Sequence, residues 1–394
     1  MRRVYLDNSA TTPVDPAVVE AMMPYFTEIF GNPSSVHWFG REAKVAIEEA
    51  RYKIANFINA DPSEIIFTSG GTESDNFAIF GVALSGLRKG KKHIITTKIE
   101  HHAVLDSCLY LQKNGFEVTF LKVGSDGVVD PDDVRKAITS KTCLISVMHV
   151  NNEIGTIQPI QEIGMIAMEH GIPFHTDAVQ SFGKIEVDVK DLKVDLISAS
   201  AHKIYGPKGI GFLYVRNGVE IEKFHHGGSQ EAGRRAGTES VPLIVGFAKA
   251  VELCAERMKQ DYEHVSSLRK RMIEKINDLF AEFGDILILN SPYDKTIPYI
   301  LNFSINSGKI DIDAEALIYG LDLKGVAVSN GSACTSGSLK PSHVILALGR
   351  DEKTSLATVR FSFGRWNTID DVDYAVEKFA EVVKNFVGRA VLKT

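Results

Sequence analysis

Short apolar runs alternate with longer amphipathic ones along most of the chain. Ile65-Ile66-Phe67-Thr68, His93–Thr96, Val118–Leu121, Leu144–Met148 and Ile172–His175 read as strands, as do Val194–Ser198 and Phe212–Val215. Patterns of period 3.6 predict helices over Thr72–Leu87, His102–Lys113 and Ile160–His170. Ahead of the first strand, Pro16 opens a helical pattern that runs toward Gly31-Asn32-Pro33. Ala43, Ile47, Ala50, Ile54 and Phe57 then line one face of a helix from about Gly40 to Ile58. This alternation predicts an α/β fold, with a mostly parallel sheet carrying helices on both faces. Such a sheet presents ligands at the carboxyl ends of its strands. A long helix from about Leu243 through Leu279 leads into a smaller unit with strands at Tyr299–Ile305, Val326–Ser329 and Thr358–Phe363. Helices at Ala314–Leu321 and after Pro341 belong to the same unit.

Composition narrows the classes of function. At 394 residues the chain suits two or three domains, and 44% hydrophobic with 24% charged residues is ordinary globular composition. A net charge of −6 gives no field for nucleic acid or an anionic membrane. The one basic run, Arg88-Lys89-Gly90-Lys91-Lys92, reads as a solvated loop between a helix and a strand. The amino terminus lacks the apolar core of a secretory signal, and no apolar segment is long enough to span a bilayer. Cys108, Cys143, Cys254 and Cys334 are scattered and form no C-x-x-C pair. That argues against structural zinc and a disulfide framework, so no metal is expected and a reducing, cytoplasmic setting is.

The chemistry gathers where strands end. Ser198-Ala199-Ser200-Ala201-His202-Lys203 leads into the turn Gly206-Pro207-Lys208-Gly209. A lysine among residues too small to crowd it can form a Schiff base with an aldehyde cofactor; the alternative is a surface lysine in a basic turn. Ser69-Gly70-Gly71-Thr72 frees the backbone to approach an anion at a helix start, or is a plain strand–helix turn. It is not a Walker A loop, since no Gly-Lys-Ser/Thr follows. Asp177 can face a protonated pyridine nitrogen or cap a helix. His101 can stack on a flat ring or be an ordinary loop residue. Taken together, Lys203, Asp177, His101 and Gly71-Thr72 describe a pyridoxal 5′-phosphate site. Two further residues stand out. Cys334, among small residues from Val328 to His343, reads as an accessible nucleophile or an incidental exposed thiol. Arg360 suits an amino-acid carboxylate or a surface ion pair.

These stretches resemble the cysteine desulfurases of the nitrogen-fixation and iron–sulfur-cluster-assembly type, in the class V aminotransferase group of fold-type I pyridoxal phosphate enzymes. The resemblance runs through Tyr5-Leu6-Asp7-Asn8-Ser9-Ala10-Thr11-Thr12, Phe67–Asn76, Glu100-His101 and Val150–Gly155. It continues through His175–Gln180, His202–Gly209 and Gly331-Ser332-Ala333-Cys334. It implies a large cofactor-binding domain over 16–258 with a seven-stranded-type sheet. A smaller α/β domain would be built from 1–15 and 259–394 and carry the Cys334 loop.

The same resemblance assigns roles. Asn152 would contact the cofactor ring oxygen or the substrate carboxylate, and Gln180 that ring oxygen. Ser200 and His202 would hold the phosphate, and Thr238 would reach the phosphate of the other subunit in a homodimer. Arg360 would bind the substrate carboxylate. The implied reaction turns L-cysteine into L-alanine and a persulfide on Cys334, with Lys203 moving the Cα proton. The Cys334 loop would bring its thiol near His101 or another cation that favours the thiolate. Sulfur would pass to an acceptor, a cluster scaffold or a tRNA-thiolation protein, with room for a transient iron–sulfur cluster at Cys334. Other readings are a selenocysteine lyase, a class V aminotransferase or an inactive assembly scaffold. Ala236 and Asn330 stand where serine is common. The chain ends at Thr394 soon after its last helix, so the longer tail by which some relatives dock a scaffold is expected to be missing.

Overall fold

A computed structural model describes residues 2–310, 312–331 and 340–391. Its strands, in chain order, are β1 (Val4–Tyr5), β2 (Ile65–Thr68), β3 (His93–Thr97), β4 (Glu117–Leu121), β5 (Thr142–Ser146) and β6 (Phe174–Asp177). They continue with β7 (Leu196–Ser200), β8 (Gly211–Val215), β9 (Leu287–Leu289), β10 (Ile300–Ile305), β11 (Val326–Ala327) and β12 (Thr358–Ser362). Seven of them form one sheet in the order β2-β8-β7-β6-β5-β3-β4. Only β8 runs against the rest, antiparallel to both β2 and β7. Its reversal has a local cause. The turn from Ala201 to Ile210 is too short for a crossover helix, so the chain doubles back beside β7 with Ser200 opposite Gly211.

Both faces of the sheet are covered, and the strands accordingly read as unbroken buried runs. One face packs on the helix Trp38–Phe57 and the first half of the helix Val241–Phe280. The other packs on the helices Gly71–Arg88 and His102–Lys113. On the first face Phe182 meets Phe212 of β8 edge-on, with ring centroids 5.2 Å apart, and Phe247 stacks on Phe212 at 5.8 Å. Such ring pairs add about 0.5–1.5 kcal/mol beyond simple burial and brace β8.

A second core joins both ends of the chain. Val4 and Leu6 pack with Leu268, Met272 and Ile276 of the long helix and with Phe361 and Phe379. Here β12, β10 and β9 form an antiparallel sheet, while β1 pairs with β11. Among the described residues no helix is long and apolar enough to cross a membrane.

The expected elements need several corrections. The pattern after Pro16 is two helices, Pro16–Met22 and Pro24–Thr27, because Pro24 has no N–H with which to continue the first. The strand expected at Leu144–Met148 lies at Thr142–Ser146, since Thr142 pairs with His93. The one expected at Ile172–His175 lies at Phe174–Asp177, where His175 and Asp177 align with Leu196 and Ser198. Apolar pattern alone passes over polar residues that a ladder recruits. The short strands β1 and β9 and the helices Pro131–Ala137 and Glu352–Leu356 have too little periodicity to be read from sequence.

Candidate active site

The carboxyl ends of β2, β6 and β7, the loop before the helix His102–Lys113 and one side of β12 enclose a cavity of about 270 Å³. Gly71, Thr72, His101, Asn152, Asp177, Gln180, Ser200, His202, Lys203 and Arg360 all line it. Thr238 does not; it is exposed, beyond the cavity. Cys334 lies outside the described residues. Gly331, close before it in sequence, is part of the cavity wall.

Lys203 sits in a single 3-10 turn, Ala201–Lys203, between β7 and β8. Its Nζ donates to the carbonyls of Ser9 at 2.5 Å and Ala10 at 2.7 Å, so a loop from the amino terminus sets its position. Asp177 ends β6 instead of following it, and its Oδ1 accepts the Val179 N–H at 2.9 Å. No helix starts here, so this bond closes a local turn and the helix-cap alternative does not hold. Burial pushes the Asp177 carboxyl up to about 6, against the pull of Val179 N–H and Lys203.

His101 caps the helix His102–Lys113, its Nδ1 accepting the Ala103 N–H at 3.1 Å. That bond leaves the ring proton on Nε2. Burial first, and then the charges of Lys203, His102 and His343, push His101 down to about 4. His101 is thus neutral near pH 7, which corrects the expectation of a cation there to favour a thiolate. His202 is likewise pushed down to about 4 by burial and then by Lys203, and its Nδ1 meets Thr11 Oγ1 at 3.1 Å.

The phosphate-type turn needs its glycines. Gly70 has φ +149°, and a Cβ on Gly71 would lie 2.7 Å from Val179 Cγ2. No side chain caps this helix; Glu73 instead reaches back to the Ser69 N–H at 2.7 Å. Across the cavity Arg360 is buried. Its Nη1 donates to the carbonyls of Asn152 at 2.9 Å and Gly331 at 3.0 Å, and its Nη2 to Asp7 at 2.8 Å. The ion-pair alternative is therefore real but buried, not superficial. Arg360 Nε, Asn152 Oδ1, Ser9 Oγ and Asp75 Oδ1 are buried with no hydrogen-bond partner among the described residues.

Four residues of this region escape a sequence reading. Asp75 lines the wall beside Asp177. Lys184 is buried and donates to Gln180 Oε1 at 2.7 Å, which turns the Gln180 amide so that Nε2 donates to Ser9 O at 2.9 Å. Glu153 accepts Ser342 Oγ at 2.5 Å and lies against Gly331, so one carboxylate touches both borders of the Cys334 segment. His343 donates from Nε2 to Glu100 O at 2.9 Å and also lines the cavity. Asp75, Glu153 and His343 lie inside stretches already singled out and Lys184 shortly after one, but nothing in the sequence gives any of them a role.

Comparison with known proteins agrees over nearly the whole length. The chain is 50% identical to cysteine desulfurase IscS of Dictyoglomus turgidum over 383 residues, 97% of this chain and 95% of the relative. It is 48% identical to the mitosomal cysteine desulfurase of Encephalitozoon cuniculi, covering 97% and 87%. Among solved structures, a NifS-like protein matches with TM-score 0.89 and 39% identity over 97% of this chain and 100% of the other. SspA in complex with cysteine matches with TM-score 0.80 and 40% identity over 93% and 100%. The family description Aminotransferase class-V fits residues 4–375, from β1 into the last helix, and the chain belongs to that family.

Proposed function

We propose that this chain is a cysteine desulfurase, which takes sulfur from L-cysteine, releases L-alanine and holds the sulfur as a persulfide on Cys334. The observation that carries the reading is the convergence of an amine, a buried carboxyl, a neutral imidazole and a guanidinium on one cavity. The likeness to relatives named cysteine desulfurase over 97% of the chain supports it.

Members of this family are pyridoxal phosphate enzymes, and the residues here fit that cofactor. Gly71 and Thr72 line the cavity at the start of the helix Gly71–Arg88, where no side chain caps the backbone, and that suits a phosphate held by backbone N–H groups. The unpartnered Ser9 Oγ, Asp75 Oδ1 and Asn152 Oδ1 are the kind of orphans that a polar ligand satisfies. Lys203 would hold the cofactor covalently, Asp177 would face its ring nitrogen and His101 its ring. Gln180 and Asn152 would meet the ring oxygen. Gly71, Thr72, Ser200 and His202 would take the phosphate, with Thr238 of a second copy. When bound, the cofactor supplies an electron sink for charge developing on the substrate carbon.

The protein's own groups do the rest. Arg360 binds the carboxylate of L-cysteine, using the buried Nε that has no partner among the described residues. Lys203, steered by the Ser9 and Ala10 carbonyls, takes the Cα proton. The Cys334 thiolate attacks the substrate sulfur, so the S–S bond forms as the carbon–sulfur bond breaks. The electron pair of the broken bond stays with carbon and takes up a proton, Lys203 returns a proton to Cα, and L-alanine leaves.

We read the chain as a homodimer that passes its persulfide to a cluster scaffold or thiolation protein, with a transient cluster at Cys334 as a further product of transfer. The domain division at 16–258, with 1–15 and 259–394 in the smaller unit, is supported by the core that unites Val4, Leu6 and the carboxyl-terminal strands. The three described cysteines are free and buried, which supports a reducing, cytoplasmic setting.

The test is an absorption spectrum of the purified protein, then assay of alanine and sulfide after adding L-cysteine. Visible cofactor absorbance and matched alanine are expected; a keto acid in place of alanine would sink the reading. Cys334→Ala should keep the absorbance and lose sulfide. Lys203→Ala should lose the covalent cofactor absorbance.

A further inference from the structure

We propose that Asp75 and Asp177 form a buried carboxyl pair carrying a single negative charge, in which Asp75 keeps a proton and so holds the charge on Asp177. Asp75 is then a positioning residue for the cofactor, and this use of the pair rests on the reading of Asp177 as the partner of the ring nitrogen.

The geometry is specific. Asp75 lies on the helix Gly71–Arg88 and reaches the cavity wall, where it is 1% exposed; Asp177 is 5% exposed. One side-chain atom from each of Asp75, His101 and Asp177 lies within 4.8 Å of the other two. Two carboxylates that close in a dry wall do not both ionise.

Their surroundings decide which one does. Asp177 accepts a backbone N–H from Val179 and feels the positive charge of Lys203. The Ser198 hydroxyl pulls Asp75 down only in part against burial and Asp177, and Asp75 Oδ1 is buried with no hydrogen-bond partner among the described residues. The other titratable groups facing Asp75 bring no positive charge. His175 Nε2 is 3.6 Å away, yet its two nitrogens are taken by Ser146 at 2.9 Å and Ser198 at 3.0 Å. Burial pushes that imidazole down to about 3, so it is neutral. His101 is neutral as well, and Glu100 is a further acid. Burial and then Asp177 push Asp75 well up, in keeping with this. A protonated Asp75 is electrically an amide, and that equivalence is testable.

The experiment compares the native holoenzyme with Asp75→Asn. The infrared difference spectrum at pH 7 should contain the C=O band of a protonated carboxyl, present in the native protein and absent from the variant. The pH titration of the bound cofactor's visible absorbance should overlay in the two proteins wherever Asp75 keeps its proton, pH 7 included, since both carry a neutral group there. Carboxylate bands in place of the carboxyl band would overturn the proposal. So would a titration displaced to lower pH by about one unit across the whole range, the mark of a lost negative charge. Should Asp75→Asn not fold, Asp75→Ser makes the same comparison. A protein without visible cofactor would defeat the cofactor reading, while the infrared comparison would still decide the charge of the pair.

Discussion

Arg360 donates from Nη2 to Asp7 Oδ1 at 2.8 Å, joining β12 to the loop after β1 across nearly the whole chain. Three of its five N–H donors are spent on protein oxygens, and Nε–H and one Nη2–H are left over. A substrate carboxylate must therefore meet a guanidinium already held rigid. Arg360→Lys removes the planar fork and should raise KM for L-cysteine by roughly ten- to a hundredfold, as expected for about 1.5–3 kcal/mol of charge-assisted hydrogen bonding. Turnover of cysteamine, which lacks the carboxylate, should change far less. An equal loss with both substrates would mean that Arg360 serves the fold alone.

Glu153 holds Ser342 at one border of the Cys334 segment and abuts Gly331 at the other. Glu153→Ala should keep the bound-cofactor absorbance yet slow persulfide formation on Cys334 by roughly tenfold, about 1.4 kcal/mol at the barrier. Mass spectrometry of the Cys334 peptide after rapid mixing with L-cysteine measures this. A normal rate would remove Glu153 from any role in setting the loop.

Lys184 orients Gln180, and burial followed by the charges of Lys203 and Arg360 pushes its ammonium down to about 7. Lys184→Met leaves the Gln180 oxygen without its donor, a loss of about 1–3 kcal/mol, and lets the amide turn. Cofactor affinity should fall, measured by equilibrium dialysis. The lowered value also has a sign for stability. Unfolded lysine binds its proton up to 10.5 and the folded one only up to about 7, so native stability rises with pH across that window. The variant should lack this rise in urea titrations.

Glu100 gives the opposite slope. Both of its carboxyl oxygens accept the Met148 N–H at 3.0 Å, and Oε1 also accepts the Thr97 hydroxyl at 2.7 Å. Burial nonetheless pushes it from 4.5 up to about 8. The folded protein then holds a proton that the unfolded chain has lost, so this contribution is complete below pH 4.5 and fades as pH rises toward 8. Glu100→Gln keeps an acceptor and has no proton to lose. The stability gap between native protein and variant should shift in the variant's favour from pH 5 to pH 8.5, and a constant gap would place the Glu100 titration elsewhere.

Much of the site could be read along the chain because its residues sit at strand ends, where period and turn chemistry announce themselves. Lys203, Asp177, His101 and Gly71-Thr72 each follow an apolar run. Asp75 and Lys184 do not, since each lies inside a pattern that reads as ordinary helix or loop. Their importance comes from neighbours distant in sequence, Asp177 for one and Lys203 for the other.

By itself the sequence determined the alternation of strands and helices, the family likeness and which residue types could do the chemistry. Those properties are local, carried by spacing and by side-chain identity. Only the tertiary structure decided that Asp7 engages Arg360 and that His101 is neutral. Each of these depends on burial and on contacts across hundreds of residues, because a charge's cost is set by the dielectric and partners around it and not by its place in the chain.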